Sequence, residues 1–141
     1  MPTSQLIYRQ RRGLERPQMS EVLTGSYLHK HQNILITGPT GGGKTYVACA
    51  LAEQACERQH SVSYYRLSRL LDDLSSGKHD GSYQKQLLDL SKKALLIIDD
   101  WGAGGLEKLT QGQASNLLEV LEDRYQTSST IDISQLPVKE W

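Results

Sequence analysis

Apolar residues along this chain follow two alternating patterns. Some lie in short unbroken runs. Asn33 to Thr37 (NILIT) and Ala94 to Ile98 (ALLII) are such runs, the signature of strands buried on both faces. Ser61 to Leu67 (SVSYYRL) and Thr130 to Ile133 are rich in β-branched and aromatic residues and read as two further strands. Between these runs the apolar positions recur at helical spacing. Lys44 to Arg58 places Val47, Ala48, Leu51, Ala52 and Ala55 on one stripe. Ser68 opens a second helix that carries Leu70, Leu71 and Leu74 and ends near Gly77. Tyr83 to Lys93 is a third, with Leu87, Leu88 and Leu90 facing inward. Gln113 to Tyr125 is a fourth, carrying Leu117, Leu118, Val120 and Leu121. Met19 to His31 can form another helix through Met19, Val22, Leu23 and Tyr27, although Gly25 weakens it. Residues 1–17 are polar and basic, and read as extended or poorly ordered. Gly77 to Gly81 (GKHDG) and Gly102 to Gly105 (GAGG) read as loops. Strands that alternate with helices predict an α/β fold with a mostly parallel sheet.

At 141 residues the chain suits one principal domain. It divides into a basic N-terminal segment and helix, 1–31, and a core, 32–141. The longest apolar run, ALLII, is far too short to span a membrane, and the N-terminus lacks the apolar stretch of a secretory leader. A cytoplasmic location without membrane attachment is the expectation. Net charge is zero but unevenly spread. Residues 1–31 hold five bases against two acids, whereas residues 99–141 hold eight acids against three bases. A basic head of this kind either contacts nucleic acid or forms a solvated face. Cys49 and Cys56 lie seven apart on the first helix and read as two buried structural thiols, too far apart for a disulfide. The four histidines show no ligand spacing and read as surface residues.

One stretch carries chemistry. Gly38 to Thr45, GPTGGGKT, fits G-x-x-x-x-G-K-[ST], and it lies where that motif must lie, between a strand and a helix. The glycines let backbone N–H groups converge on a phosphate chain where Cβ atoms would obstruct, and the helix adds its positive dipole end. The nucleotide-binding set is therefore Gly38, Pro39, Thr40, Gly41, Gly42, Gly43, Lys44, Thr45 and Tyr46. Lys44 is placed to reach the β- and γ-phosphates, and Thr45 to offer its hydroxyl to Mg2+. The second Mg2+ anchor should close a buried strand near this loop. Asp99, the first acid after ALLII, is that anchor, since a hard cation takes oxygen ligands. Asp100 is then placed to orient or deprotonate the attacking water. Ser134 and Gln135 follow the last strand, where a polar side chain can reach the γ-phosphate or the water.

The stretches NILITGPTGGGKTYVACALAEQAC, LLIIDDWG, LLEVLEDRY and SQLPVKEW resemble the IstB-like ATPases, helper proteins of insertion-sequence transposition that are closely similar to DnaC-type helicase loaders. YRQRRGLER, Tyr8 to Arg16, also resembles the segment before the ATPase core in that family. The resemblance covers nearly the whole chain. It implies a P-loop NTPase of the AAA+ type, a three-layer α/β/α fold. It implies ATP and Mg2+ as cofactors, DNA and a transposase as partners, and a homo-oligomer for the full-length family. Gly38 to Thr45 would be Walker A, Asp99 and Asp100 Walker B, and Gln135 the sensor. The region Leu67 to Lys93 would contain the clade's inserted DNA-contacting helix, with Lys78 and Lys85 as phosphate contacts or merely solvated.

Four departures qualify the resemblance. The chain stops at Trp141, so it is expected to lack the fifth strand, arginine finger and helical lid, leaving the P-loop strand as an open edge. Asp100 stands where most AAA+ proteins carry Glu, one methylene longer. Ala103 to Gly105 reads as an insertion beside the site. Asp132 puts a carboxyl inside a central strand, on the face opposite Ile131 and Ile133, where burial should raise its pKa. Three functions follow from these readings: an ATP-binding transposition helper with weak hydrolysis, catalysed through Lys44, Asp100 and Gln135; a helicase loader; or a truncated remnant.

Overall fold

The computed structural model describes residues 5–9, 25–38, 43–100 and 108–135. In chain order the elements are β1 (Gln5–Arg9), α1 (Ser26–His29), β2 (Asn33–Gly38), α2 (Gly43–Glu57), β3 (Val62–Arg66), α3 (Leu67–Asp80), α4 (Tyr83–Ser91), β4 (Leu95–Asp99), α5 (Gln111–Arg124) and β5 (Ser129–Gln135). The five strands form one parallel sheet in the order β1-β2-β5-β4-β3. Each expected strand of the core is present within a residue or two of its expected ends.

Strand β4 explains the layering. All five of its residues are buried, and by alternation they feed two separate cores. Leu95 and Ile97 join Ile131, Ile133, Ile34 and Ile36 beneath α2, through Ala48, Leu51 and Ala55. Leu96 and Ile98 join the other core, beneath Leu70, Leu71 and Leu74 of α3, Leu87 and Leu90 of α4, and Leu117 and Val120 of α5. The result is a sheet with α2 on one face and α3, α4 and α5 on the other.

Several expectations need correction. The outer edge of β2 is not open: β1 pairs with it in parallel from Gln5↔Asn33 to Arg9↔Thr37. Cys49 and Cys56 are exposed. Each follows a buried residue, Ala48 and Ala55, so a rotation of about 100° turns both thiols to solvent. Gly77 to Gly81 is not a loop, because α3 runs on through Gly77 to Asp80 and ends at Gly81 with φ +88°. Gly77 is buried there because the Gln86 side chain lies across it; a Cβ would collide with Gln86 Oε1. Leu88 and Leu118 face outward, 53% and 46% exposed, because α4 and α5 each bury a narrower stripe than their composition suggested. Of the helix expected over Met19 to His31, Ser26–His29 is seen; residues 19–24 lie outside the described residues.

Arg124 joins three elements. It is 1% exposed. Its Nε donates to Thr130 Oγ1 (3.0 Å), and its terminal nitrogens donate to the carbonyls of Leu90 (2.6 Å), Lys93 (2.7 Å) and Ser129. The guanidinium thus caps the end of α4 and fixes the start of β5 against α5. Burial lowers its pKa to about 10.

Candidate functional site

All five strands point the same way, so their C-terminal ends share one rim. In open parallel sheets ligands sit at that rim, where the chain's crossovers diverge to opposite faces. Here the divergence is set up by β2, whose connection leaves through α2 on one face, while α3 to α5 serve the other. The residues assigned from sequence converge on this rim. Gly38 closes β2 and pairs with Gln135 at the end of β5. Gly43, Lys44 and Thr45 form the first turn of α2. Asp99 closes β4. Pro39, Thr40, Gly41 and Gly42 lie outside the described residues. Tyr46 is 75% exposed on α2, pointing away from the core.

Register gives Asp99 its direction. It shares a sheet face with Leu95 and Ile97, whose cluster lies under α2. The carboxylate therefore stands on the face covered by the helix that the glycine loop begins. Asp99 is 7% exposed. Its Oδ1 accepts the backbone N–H of Asp100 at 2.6 Å, and its Oδ2 accepts the hydroxyl of Tyr64. Asp100 has φ +63°, a left-handed conformation that Asp tolerates better than most residues. The chain thus turns sharply after β4, and Asp100 projects into solvent within 3.8 Å of Arg66.

Tyr64 and Arg66 were not assigned from sequence. The signal was present in SVSYYR. Alternation puts Val62, Tyr64 and Arg66 on one face, and parallel pairing sets Arg66 level with Asp99. That pairing could be known only once β3 was placed beside β4. Burial first, then the hydrogen bond to Asp99 and its charge, push the Tyr64 phenol well above its ordinary pKa. It remains a proton donor at every physiological pH.

Asp132 pairs with Leu35 on one side and Ile98 on the other, one level short of the rim. The residue is partly accessible, but its Oδ1 is sealed from solvent without a hydrogen-bond partner. Burial raises its pKa to about 7. The expected buried carboxyl is therefore present, on the face it was assigned. Lys78 and Lys85 are exposed, and the Lys78 ammonium lies 4.7 Å over the Tyr83 ring. Among the described residues no cluster of His, Cys, Asp and Glu could hold a metal by itself, and no helix is long and apolar enough to cross a membrane.

Residues 3–141 match the family described as IstB-like ATP binding protein. Protein y4pL of Sinorhizobium fredii, named as an insertion sequence ATP-binding protein, is 44% identical over 134 residues, which is 95% of this chain and 54% of that one. The similarly named protein of insertion sequence IS1162 from Pseudomonas fluorescens is 43% identical over 92% of this chain and 54% of its own length. The chain thus spans about half the length of these relatives. Among solved structures, the DnaC helicase loader superposes with a TM-score of 0.72 at 20% identity, over 92% of this chain and 75% of that one. DnaA from Aquifex aeolicus, bound to AMPPCP, superposes with a TM-score of 0.70 at 18% identity, over 86% of this chain and 37% of that one. Identities this low speak for the fold alone: a parallel α/β sheet with helices on both faces.

Proposed function

This chain belongs to the IstB-like ATP-binding protein family, and on that premise we propose that it binds ATP with Mg2+ at the rim between β2 and α2 and serves insertion-sequence transposition. The observation that carries this reading is the buried carboxylate of Asp99, held by two donors on the sheet face covered by α2. A carboxylate at that place fits a hard cation, and a glycine-rich strand-to-helix turn fits the phosphates beside it.

In this reading the backbone from Gly38 to Gly43 cradles the phosphates, and Lys44 neutralises the β- and γ-phosphates. Thr45 and Asp99 hold Mg2+, Asp99 through water. Bound Mg2+ supplies charge neutralisation on the phosphate oxygens. Asp100 orients the attacking water, and Gln135 senses the γ-phosphate from the neighbouring strand. Asp100 is one methylene shorter than Glu, so hydrolysis is slow. The relatives named for insertion sequences support a DNA-associated role; a transposase as partner and a homo-oligomer as the working form complete the proposal.

The test is calorimetric titration with ATP and with ADP in Mg2+, beside a Lys44→Ala control, followed by turnover on the same sample. The expected result is binding that the control abolishes, with little turnover. Absence of nucleotide binding by the wild-type protein would sink the proposal.

A further inference from the structure

Strand β3 is absent from every role assigned above, yet it supplies a side chain to each of the two acids. The Tyr64 hydroxyl donates to Asp99 Oδ2, and the Arg66 guanidinium lies 3.8 Å from Asp100. The two contacts differ in kind. The Arg66–Asp100 pair is open to water, with side chains 69% and 48% exposed, and such pairs contribute little. The Tyr64 contact reaches a carboxylate that is almost fully buried.

We propose that Tyr64 is the positioning residue for Asp99, fixing the carboxylate in the orientation that receives the hydrated Mg2+ of a bound nucleotide. This role rests on the nucleotide-binding reading above. The Asp100 N–H holds one oxygen and the Tyr64 hydroxyl holds the other. With a donor on each oxygen, rotation of the carboxylate about χ2 is blocked. The backbone donor alone cannot do this, because it lies one residue away on a turn at positive φ and moves with it. The tyrosine ring is anchored on a different strand. Donors that orient a metal-binding carboxylate commonly govern metal affinity even though they never touch the metal.

The experiment compares the wild-type protein with Tyr64→Phe, which removes one hydroxyl and keeps the ring, and with Tyr65→Phe, the neighbour on the opposite sheet face. Binding of AMPPCP is measured by calorimetry in EDTA and over a series of Mg2+ concentrations, with apo-protein melting recorded in parallel. The expected result for Tyr64→Phe is a rise of about tenfold in the Mg2+ concentration for half-saturation, with the EDTA affinity and the melting temperature unchanged and Tyr65→Phe behaving as wild type. An unchanged Mg2+ requirement overturns the role. So does a lowered one, which would make the hydroxyl a competitor of the cation. An equal loss of affinity with and without Mg2+ also overturns it, since that marks a packing effect. Failure of the wild-type protein to bind AMPPCP at all would instead remove the nucleotide site, and Tyr64's role with it.

Discussion

Asp132 sets the clearest single-residue constraint on the behaviour of the protein. Its carboxyl sits in the middle strand with Oδ1 sealed from water and unpartnered, and its folded pKa is raised from 3.8 to about 7. Between these values the folded state keeps a proton that the unfolded chain has released. Stability from this group is therefore fully present below pH 4 and is lost as pH rises through about 7. The loss is on the order of 4 kcal/mol. Asp132→Asn is expected to melt higher than wild type at pH 8 and to show a much flatter melting profile between pH 5 and pH 8. Thermal melts followed by circular dichroism check this, and parallel pH profiles for the two proteins would refute it. The position was legible in TIDIS because a lone acid among apolar β-formers breaks the strand pattern. Tyr64 was not legible in the same way. A tyrosine in a strand is ordinary, and its significance lies in a neighbour that only sheet order supplies.

At the scale of elements, legibility followed how far each signal depends on local sequence. Strand β4 was plain because five consecutive apolar residues, too few for a helix and followed by two acids, suit a strand covered on both faces. The succession of β2 and α2 was plain because the glycines, lysine and threonine between and within them are fixed by spacing. The end of α3 was not. Gly77 suggested a stop, but the helix continues because Gln86 of α4 packs onto that glycine and donates to the Asp73 carbonyl at 2.9 Å. Long-range packing overrode local propensity there. Arg124 makes the same point with larger consequence. Its four hydrogen bonds tie α5 to the end of α4 and to β5. Arg124→Met keeps the length of the stem but takes a donor from two buried carbonyls and a half-buried one. It is expected to cost about 3 kcal/mol, read as a lower urea midpoint. A loss below about 1 kcal/mol would show that water replaces the guanidinium.

For the whole molecule, the informative element is β1. It completes the sheet beside the strand that leads into the glycine loop, and it covers all but the last residue of β2. Without it β2 would present a row of unpaired N–H and C=O groups to other chains. Deleting residues 1–9 is therefore expected to shift the protein toward larger species in size-exclusion chromatography with light scattering, at concentrations where the intact chain is uniform. Unchanged elution would show that β2 needs no cover. From sequence this segment reads as polar and either extended or poorly ordered, and only the first of these is compatible with a strand. That it adds to the sheet could not be read there, because pairing between residues 5–9 and 33–37 is a contact across the chain.

The sheet order carries one more consequence, for synthesis. Strand β5 lies between β2 and β4, yet it follows both in the chain. While a ribosome is still making residues 129–135, the half built on β3 and β4 can assemble with α3 and α4, but its inner edge faces nothing. The half built on β1 and β2 is equally open on its inner side. Gly38 and Asp99 stand on opposite halves, so neither can meet the other until β5 enters between them. A nascent chain of this design carries two unsatisfied strand edges until residues 129–135 are available, and the sheet then closes in its middle.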